Sequence, residues 1–245
     1  MEPRGDRRAG PLDGRSLAQI AEVASGCRLC RLCDSRTHVV FGRGSAASGL
    51  MFVTEAPGYH EDRLGLPLAG EAAALFARML REVQVDVDEV YVTSVVKCRP
   101  PRNRTPFPDE IEQCEGYLFH EVAHIRPLVV CALGNVAIRL LTGRPHQLSK
   151  VHGRPMRVVV QGRDLVILPL YHPSAVVHSP RLEAALRNDL RQLPRLLRQG
   201  ADAVPAPPPV APAPTVLPRE PAVLAGGTTA AVAQRAQEQM TFDIG

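Results

Sequence analysis

The cysteines constrain this chain more than any other residue type. Cys27 and Cys30 form a C-x2-C pair near the start, while Cys98 and Cys114 stand in two separate later contexts, VVKCRPPRNRTP and EIEQCEGYLFH. Thiolates gathered from such distant segments can hold a metal centre, which would staple the first segment to the middle of the fold. Soft thiolate ligands select zinc, copper(I) or iron–sulfur clusters, and a four-cysteine set suits structural zinc or a [4Fe–4S] cluster. The C-x15-C spacing of the second pair is too open for a simple zinc knuckle. Cys27, Cys30 and Cys33 recur every three residues, so spacing alone allows any two of them to ligate. The bland alternative is a reduced, buried thiol packing as a small hydrophobe, which suits Cys131 inside PLVVCALG.

No apolar run approaches the length needed to cross a membrane, and the opening MEPRGDRRAG is polar rather than a secretory signal. These features predict a cytoplasmic, nucleoid-associated monomer in a reducing compartment, where clustered cysteines serve metals more than disulfides. The net charge of +4 permits nucleic-acid binding without demanding it. Trp is absent and aromatics make up only 4%, which argues against an extended base-stacking platform. From about residue 200 the chain turns to Ala, Pro and Val without periodicity, too little apolar patterning to offset its ordering entropy. The expected organisation is a disordered start over 1–14, one folded domain over 15–199, a disordered Ala/Pro-rich linker over 200–236 and a short peptide over 237–245.

Apolar, β-branched runs predict strands at Leu50–Val53, Val90–Val96, Pro127–Leu133, Val158–Val160 and Leu165–Leu170. Helical spacing predicts helices at Leu17–Cys27, Gly70–Val83, from Pro108 onward, Asn135–Leu141 and Arg181–Arg198. Strands apolar throughout, alternating with helices, imply an α/β fold: a three-layer α/β/α sandwich on a mainly parallel sheet of about four to five strands. In such sheets the working groups gather in loops beyond the carboxyl ends of the strands. Here those loops are TEAPGYHED, KCRPPRNRTP, LGN and YHPSAVVHSP.

Those loops, in order and spacing, resemble the family 4 uracil-DNA glycosylases. The resemblance rests on Thr54–Asp62 (TEAPGYHED), Gly65–Gly70 (GLPLAG), Thr93–Pro106 (TSVVKCRPPRNRTP) and His172-Pro173-Ser174. It implies a uracil-DNA glycosylase-like fold and a repair enzyme that flips out and hydrolytically excises uracil, or a related deaminated base, from single- or double-stranded DNA, initiating base excision repair. It further implies a [4Fe–4S] cluster on Cys27, Cys30, Cys98 and Cys114, with Cys33 and Cys131 outside the ligand set. Glu55 would contact the base or position water, and His172 would donate to the uracil O2 as negative charge develops there. Ala56, Gly58, Glu61, Leu68 and Ser94 would complete the base pocket with His172. Lys97, Arg99, Arg102 and Arg104 would meet phosphates, while the Pro173–Ser179 loop, with Ser174, Val177 and His178, would enter the duplex.

Three positions depart from the family pattern. Ser94 stands where the pattern has an asparagine that reads the uracil edge, Leu68 where it has a stacking phenylalanine, and Thr54 where it has a glycine. A serine cannot make the two-point contact of an amide, and leucine offers no ring. These departures keep open a rival, a weakly active or inactive iron–sulfur protein that recognises damage in DNA. A second rival is a zinc-stapled nucleotide-binding domain of another α/β enzyme, which a colourless protein with bound zinc would favour. Finally, Gln237, Met240 and Phe242 fit Q-x-x-L/M-x-F, which resembles the peptide by which bacterial repair proteins dock on the sliding clamp, with two apolar anchors and a glutamine at the groove edge.

Overall fold

The computed structural model describes residue 12 and residues 14–204, apart from residues 46 and 178. The strand β2 (Leu50–Thr54) is buried along its whole length. Leu50 and Phe52 join one core cluster, and Met51 and Val53 the other. A strand wet on neither face belongs inside a sheet covered on both sides. The sheet has six strands in the order β1-β3-β2-β4-β6-β5. Its middle is parallel: β3 (Tyr91–Ser94), β2, β4 (Val129–Leu133) and β6 (Arg163–Leu170). The edges are antiparallel, formed by β1 (Arg43–Gly44) and β5 (Met156–Val160).

One face is covered by α1 (Leu17–Ser25), α4 (Pro108–Ile125) and α5 (Asn135–Thr142), whose apolar residues share a cluster with Met51, Val53 and Val130. The other is covered by α3 (Gly70–Glu82), α8 (Pro180–Leu190) and α9 (Leu193–Gln199), packed on Leu50, Phe52 and Val166. Phe52 meets Phe76 of α3 edge to face at 4.8 Å. Burying each such ring contributes about 1.5–3 kcal/mol. The chain passes from β2 to β3 on one side and returns to β4 on the other. That reversal is the topological switch point where α/β sheets open a crevice.

The three-layer architecture matches the expectation, with one strand more than the upper expected number. The extra strand, β1, is two residues long and carries no apolar alternation, so periodicity could not find it. The helix expected over 181–198 is two helices, because Pro194 lacks the N–H a continuous helix needs and sits instead in the first turn of α9. The expected strand 90–96 leaves the ladder after Ser94, although the Val95 and Val96 amides still donate to the Thr54 and Glu55 carbonyls. The fold continues past residue 199 into a short turn, and Val204 packs in the second core cluster. Leu12, within the stretch expected to be disordered, packs in the first. The rest of the 200–236 linker and the 237–245 peptide lie outside the described residues. No helix among the described residues is long and apolar enough to cross a membrane.

Lys97 is not a surface cation. Its side chain is 1% exposed and its ammonium faces Glu121 of α4, itself 0% exposed, at 2.6 Å. The same ammonium donates to Thr93 Oγ1 and to the Ser94 carbonyl, both at 2.7 Å, so all three of its N–H groups are engaged. Glu121 in turn accepts from the Gly42 amide, the Tyr91 hydroxyl and the Thr93 hydroxyl. Gly42 is required here, since a Cβ would collide with the Glu121 carboxylate and the Tyr91 ring. The expectation that Lys97 meets DNA phosphate is corrected: a charge removed from water needs this enclosed set of partners and cannot also reach solvent.

Lys97→Met should leave the Glu121 carboxylate buried without its cation and cost about 3–5 kcal/mol, read as a lowered urea midpoint. Adding Glu121→Gln to that variant should recover part of the loss, because the stranded charge goes while an amide oxygen remains to accept from Gly42, Tyr91 and Thr93.

Candidate active site

Beyond the carboxyl ends of β2, β3 and β4, and beside the loop that follows β6, lies a cleft of about 600 Å³. Among its walls are Glu55, Ala56, Gly58, Glu61, Leu68, Ser94, His172, Ser174 and Val177. Residues from four separate stretches of sequence are thereby gathered around one space large enough for a nucleoside.

The imidazole of His172 is held by its own loop. The Ser174 amide donates to His172 Nδ1 at 3.1 Å, and the Ser174 hydroxyl lies 2.7 Å from the same nitrogen. An amide can only donate, so Nδ1 carries the lone pair and the ring proton sits on Nε2. Burial pulls the His172 pKa below its ordinary 6.5, with the Glu61 charge opposing more weakly. The cleft therefore holds a neutral imidazole whose Nε2–H is the donor left for a ligand. Burial pushes the Glu55 carboxyl above its ordinary 4.5, partly offset by a hydrogen bond from Thr105.

Glu61 and Ser94 play more local parts than the sequence implied. Glu61 accepts from the Gly58 amide at 3.1 Å and the Ala69 amide at 2.8 Å, bracing two walls of the cleft against each other. The Ser94 hydroxyl donates to the Val96 carbonyl at 2.7 Å, so its one proton is spent inside the protein. Leu68 lines the cleft in the left-handed region, at φ 52°, and packs against the second core cluster.

The expected phosphate contacts separate into three kinds. Arg104 lines the cleft but forms two hydrogen bonds to Glu110, at 2.7 and 2.8 Å, and its charge is largely answered there. Arg99 is half-buried, its guanidinium 5.1 Å from the Tyr59 ring centre and its Nε bonded to Asn103 Oδ1. Arg102 is exposed. His178 lies outside the described residues.

On the α1/α4 side of the sheet, Cys27, Cys30, Cys98 and Cys114 line one small cavity together with Cys33, Arg36, Lys97 and Tyr117. Cys131 sits in the cluster on the opposite face. The Lys97 amide donates to Cys114 Sγ at 3.2 Å, and the Arg36 guanidinium to Cys98 Sγ at 3.3 Å. Burial pushes the Cys98 thiol up to about 11 and Cys114 up to about 12. A bound metal would supply the compensating charge that lets such thiols ionise. Among the described residues no group of three or more His, Cys, Asp or Glu side chains is set around a single-ion point.

Sequence reasoning missed Glu121, Tyr59 and Thr105. Glu121 did leave a signal, since it falls on the apolar stripe of α4 with Cys114, Tyr117, Leu118 and Val122, where an acid needs a buried partner. Tyr59 and Thr105 stood inside quoted motifs with nothing local to mark them.

The fold and cleft are those of a DNA glycosylase, and the family model of the uracil DNA glycosylase superfamily matches residues 41–193. A type-4 uracil-DNA glycosylase of Archaeoglobus fulgidus is 35% identical over 185 residues, covering 74% of this chain and 93% of that protein. Those of Sulfurisphaera tokodaii and Thermotoga maritima are 34% identical over 186 residues and 37% over 161. They cover 74% and 65% of this chain, and 84% and 82% of their own lengths. The chain belongs to the uracil DNA glycosylase superfamily, within its type-4 family.

Nitrogen-15 NMR of the His172 ring should show the Nε2–H tautomer at neutral pH and a titration midpoint below 6.5. The sign follows from burial. The unfolded chain binds the proton first, so this group's stabilising contribution is complete above the ordinary imidazole range and declines as pH falls through it. Ser174→Ala should weaken the tautomer preference. A ring already protonated at pH 6.5 would contradict this geometry.

Proposed function

We propose that this protein is a monofunctional DNA glycosylase that hydrolyses the N-glycosidic bond of uracil, or a related deaminated base, in DNA. The observation that carries the reading is the convergence of a half-buried carboxylate, Glu55, and a neutral Nε2–H donor, His172, on one cleft beyond the strand ends. Cleavage leaves positive charge on the sugar and negative charge on the departing base. The His172 Nε2–H supplies a preorganised donor for the uracil O2 as it becomes anionic. Ser174 holds the ring in the tautomer that carries this proton. Glu55 orients the attacking water and stabilises the sugar cation through its charge. The base reaches the cleft only when the nucleotide leaves the stack.

We infer further that Cys27, Cys30, Cys98 and Cys114 hold a [4Fe–4S] cluster, which would supply structure by tying α1 and α4 to the end of β3. Four buried or half-buried thiols around a cavity, two of them receiving N–H donors, suit sulfurs that carry charge. Their spread around a wall supports a cluster better than one zinc ion. The Gln237, Met240 and Phe242 peptide is proposed to dock on a sliding clamp, delivering the domain to DNA at replication sites.

The Ser94 hydroxyl bond to Val96 favours a second reading, a protein that binds deaminated DNA and cuts it feebly, since the edge-reading donor is absent. Single-turnover assays on oligonucleotides with uracil, hypoxanthine or xanthine, followed by alkaline cleavage, separate the two. The glycosylase reading expects uracil excision, with His172→Ala slower by about 10²–10³-fold. It also expects an acid limb that lies above the ordinary carboxylate value of 4.5, because burial raises the Glu55 carboxyl and the water loses its acceptor when that group is protonated. Tight binding without any excision supports the second reading instead. Purified anaerobically, the chain should carry about four irons, lost in Cys98→Ala and kept in Cys131→Ala.

A further inference from the structure

Tyr59 is a feature of the cleft that the mechanism leaves unused. It begins α2 (Tyr59–Leu64), lines the cleft beside Gly58, Glu61 and Leu68, and keeps 53% of its surface exposed. An amphipathic ring of that size, left half in water beside a binding cleft, is open to a ligand that enters it. Two contacts hold it there, and one of them is itself anchored. The Arg99 guanidinium lies 5.1 Å from its centre, the imidazole of His60 meets it edge-on at 5.5 Å, and Arg99 is itself fixed to Asn103 Oδ1 at 2.7 Å. Asn103 lines the same cleft. The ring is thus fixed by a chain of contacts running from the loop after β2 to the loop after β3.

No other phenyl, phenol or indole ring lines the cleft among the described residues. Leu68, the other large side chain on this side, packs into the core cluster and presents only aliphatic surface. An extruded nucleobase leaves two stacking neighbours behind in the duplex, and only a planar partner replaces that loss well. A guanidinium over a tyrosine ring adds positive charge near the phosphates that flank such a base.

We propose that the open face of Tyr59, backed by Arg99, is the surface on which the extruded pyrimidine stacks in this protein. Tyr59 is a base-binding residue rather than part of the bond-breaking machinery. The proposal rests on the glycosylase reading and narrows it to a planar, unpaired base held at the rim of the cleft.

The test uses the full chain and an oligonucleotide carrying 2′-fluorinated deoxyuridine, which resists cleavage, with 2-aminopurine as its neighbour. Binding and extrusion are then read whether or not the protein cuts. In Tyr59→Ala, the dissociation constant should rise about 10-fold or more, the scale of one lost base–aromatic contact. The 2-aminopurine signal of extrusion should fall with it. Tyr59→Phe should keep both within about twofold of wild type, since the ring and not the hydroxyl does the stacking. On cleavable uracil DNA the Tyr59→Ala defect should appear mainly in KM rather than kcat. An unchanged thermal midpoint and visible spectrum would show that folding and any bound cluster are intact. Tyr59→Ala binding and extruding like wild type overturns the proposal, as does Tyr59→Phe failing as badly as Tyr59→Ala. Failure of wild type to cut any uracil DNA overturns the glycosylase reading separately, because the binding arm does not depend on cleavage.

Discussion

The buried pair of Lys97 and Glu121 is the contact through which the parts of this protein meet. An ammonium taken out of water loses several kcal/mol of hydration, and Lys97 offsets that loss with three hydrogen bonds, one of them to a carboxylate at 2.6 Å. The position of the pair matters as much as its strength. Three residues before Lys97 stands Ser94, on the floor of the cleft, and one residue after it stands Cys98, on the wall of the cysteine cavity. The Lys97 amide donates to Cys114 Sγ and its ammonium to the Ser94 carbonyl. One residue therefore touches both places, and Glu121 anchors it to α4, the helix that carries Cys114. A hydrophobic replacement could fill the same volume, but it could not fix the direction in which the strand leaves the sheet.

The electrostatics of the cleft follow from what its walls leave uncompensated. Arg104 is answered by Glu110, and Lys97 by Glu121. Glu61 is occupied by two backbone amides. Burial raises the Glu55 carboxyl above its ordinary value, and burial likewise disfavours the His172 cation. A negative carboxylate and a neutral donor suit a reaction whose transition state is cationic at the sugar and anionic at the base. The free cations, Arg102 in particular, lie outside this pair, where they can meet phosphate without disturbing it.

Much of this was legible from sequence because the signals were local and repeated. β2 and β4 are short apolar runs closed by turn residues, and the loops that follow carry the motif residues, so both strand ends and cleft walls could be placed. Cys98 and Cys114 could be paired with Cys27 and Cys30 only through resemblance, since spacing left Cys33 open. The misreadings have different causes, and partnership across the chain is one of them. Lys97 reads as a surface cation in KCRPPRNR, and only the fold shows Glu121 beside it, 24 residues away. Glu61 reads as a ligand-facing acid until Gly58 and Ala69 are seen to hold both of its oxygens. Residues 181–198 read as one helix because α8 and α9 share apolar spacing across the break at Pro194.

The central claim is that cysteine cavity, buried pair and cleft form one mechanical unit. With the proposed cluster on the four cysteines, hydrogen–deuterium exchange on the loaded and chelator-stripped protein tests it most directly. Loss of the visible colour should be accompanied by faster exchange over residues 93–99 and around Cys27 and Cys30, with β4 and β6 staying protected. Loss of the colour with unchanged exchange over residues 93–99 would contradict the claim, because the cysteine centre would then be independent of the strand end that shapes the cleft.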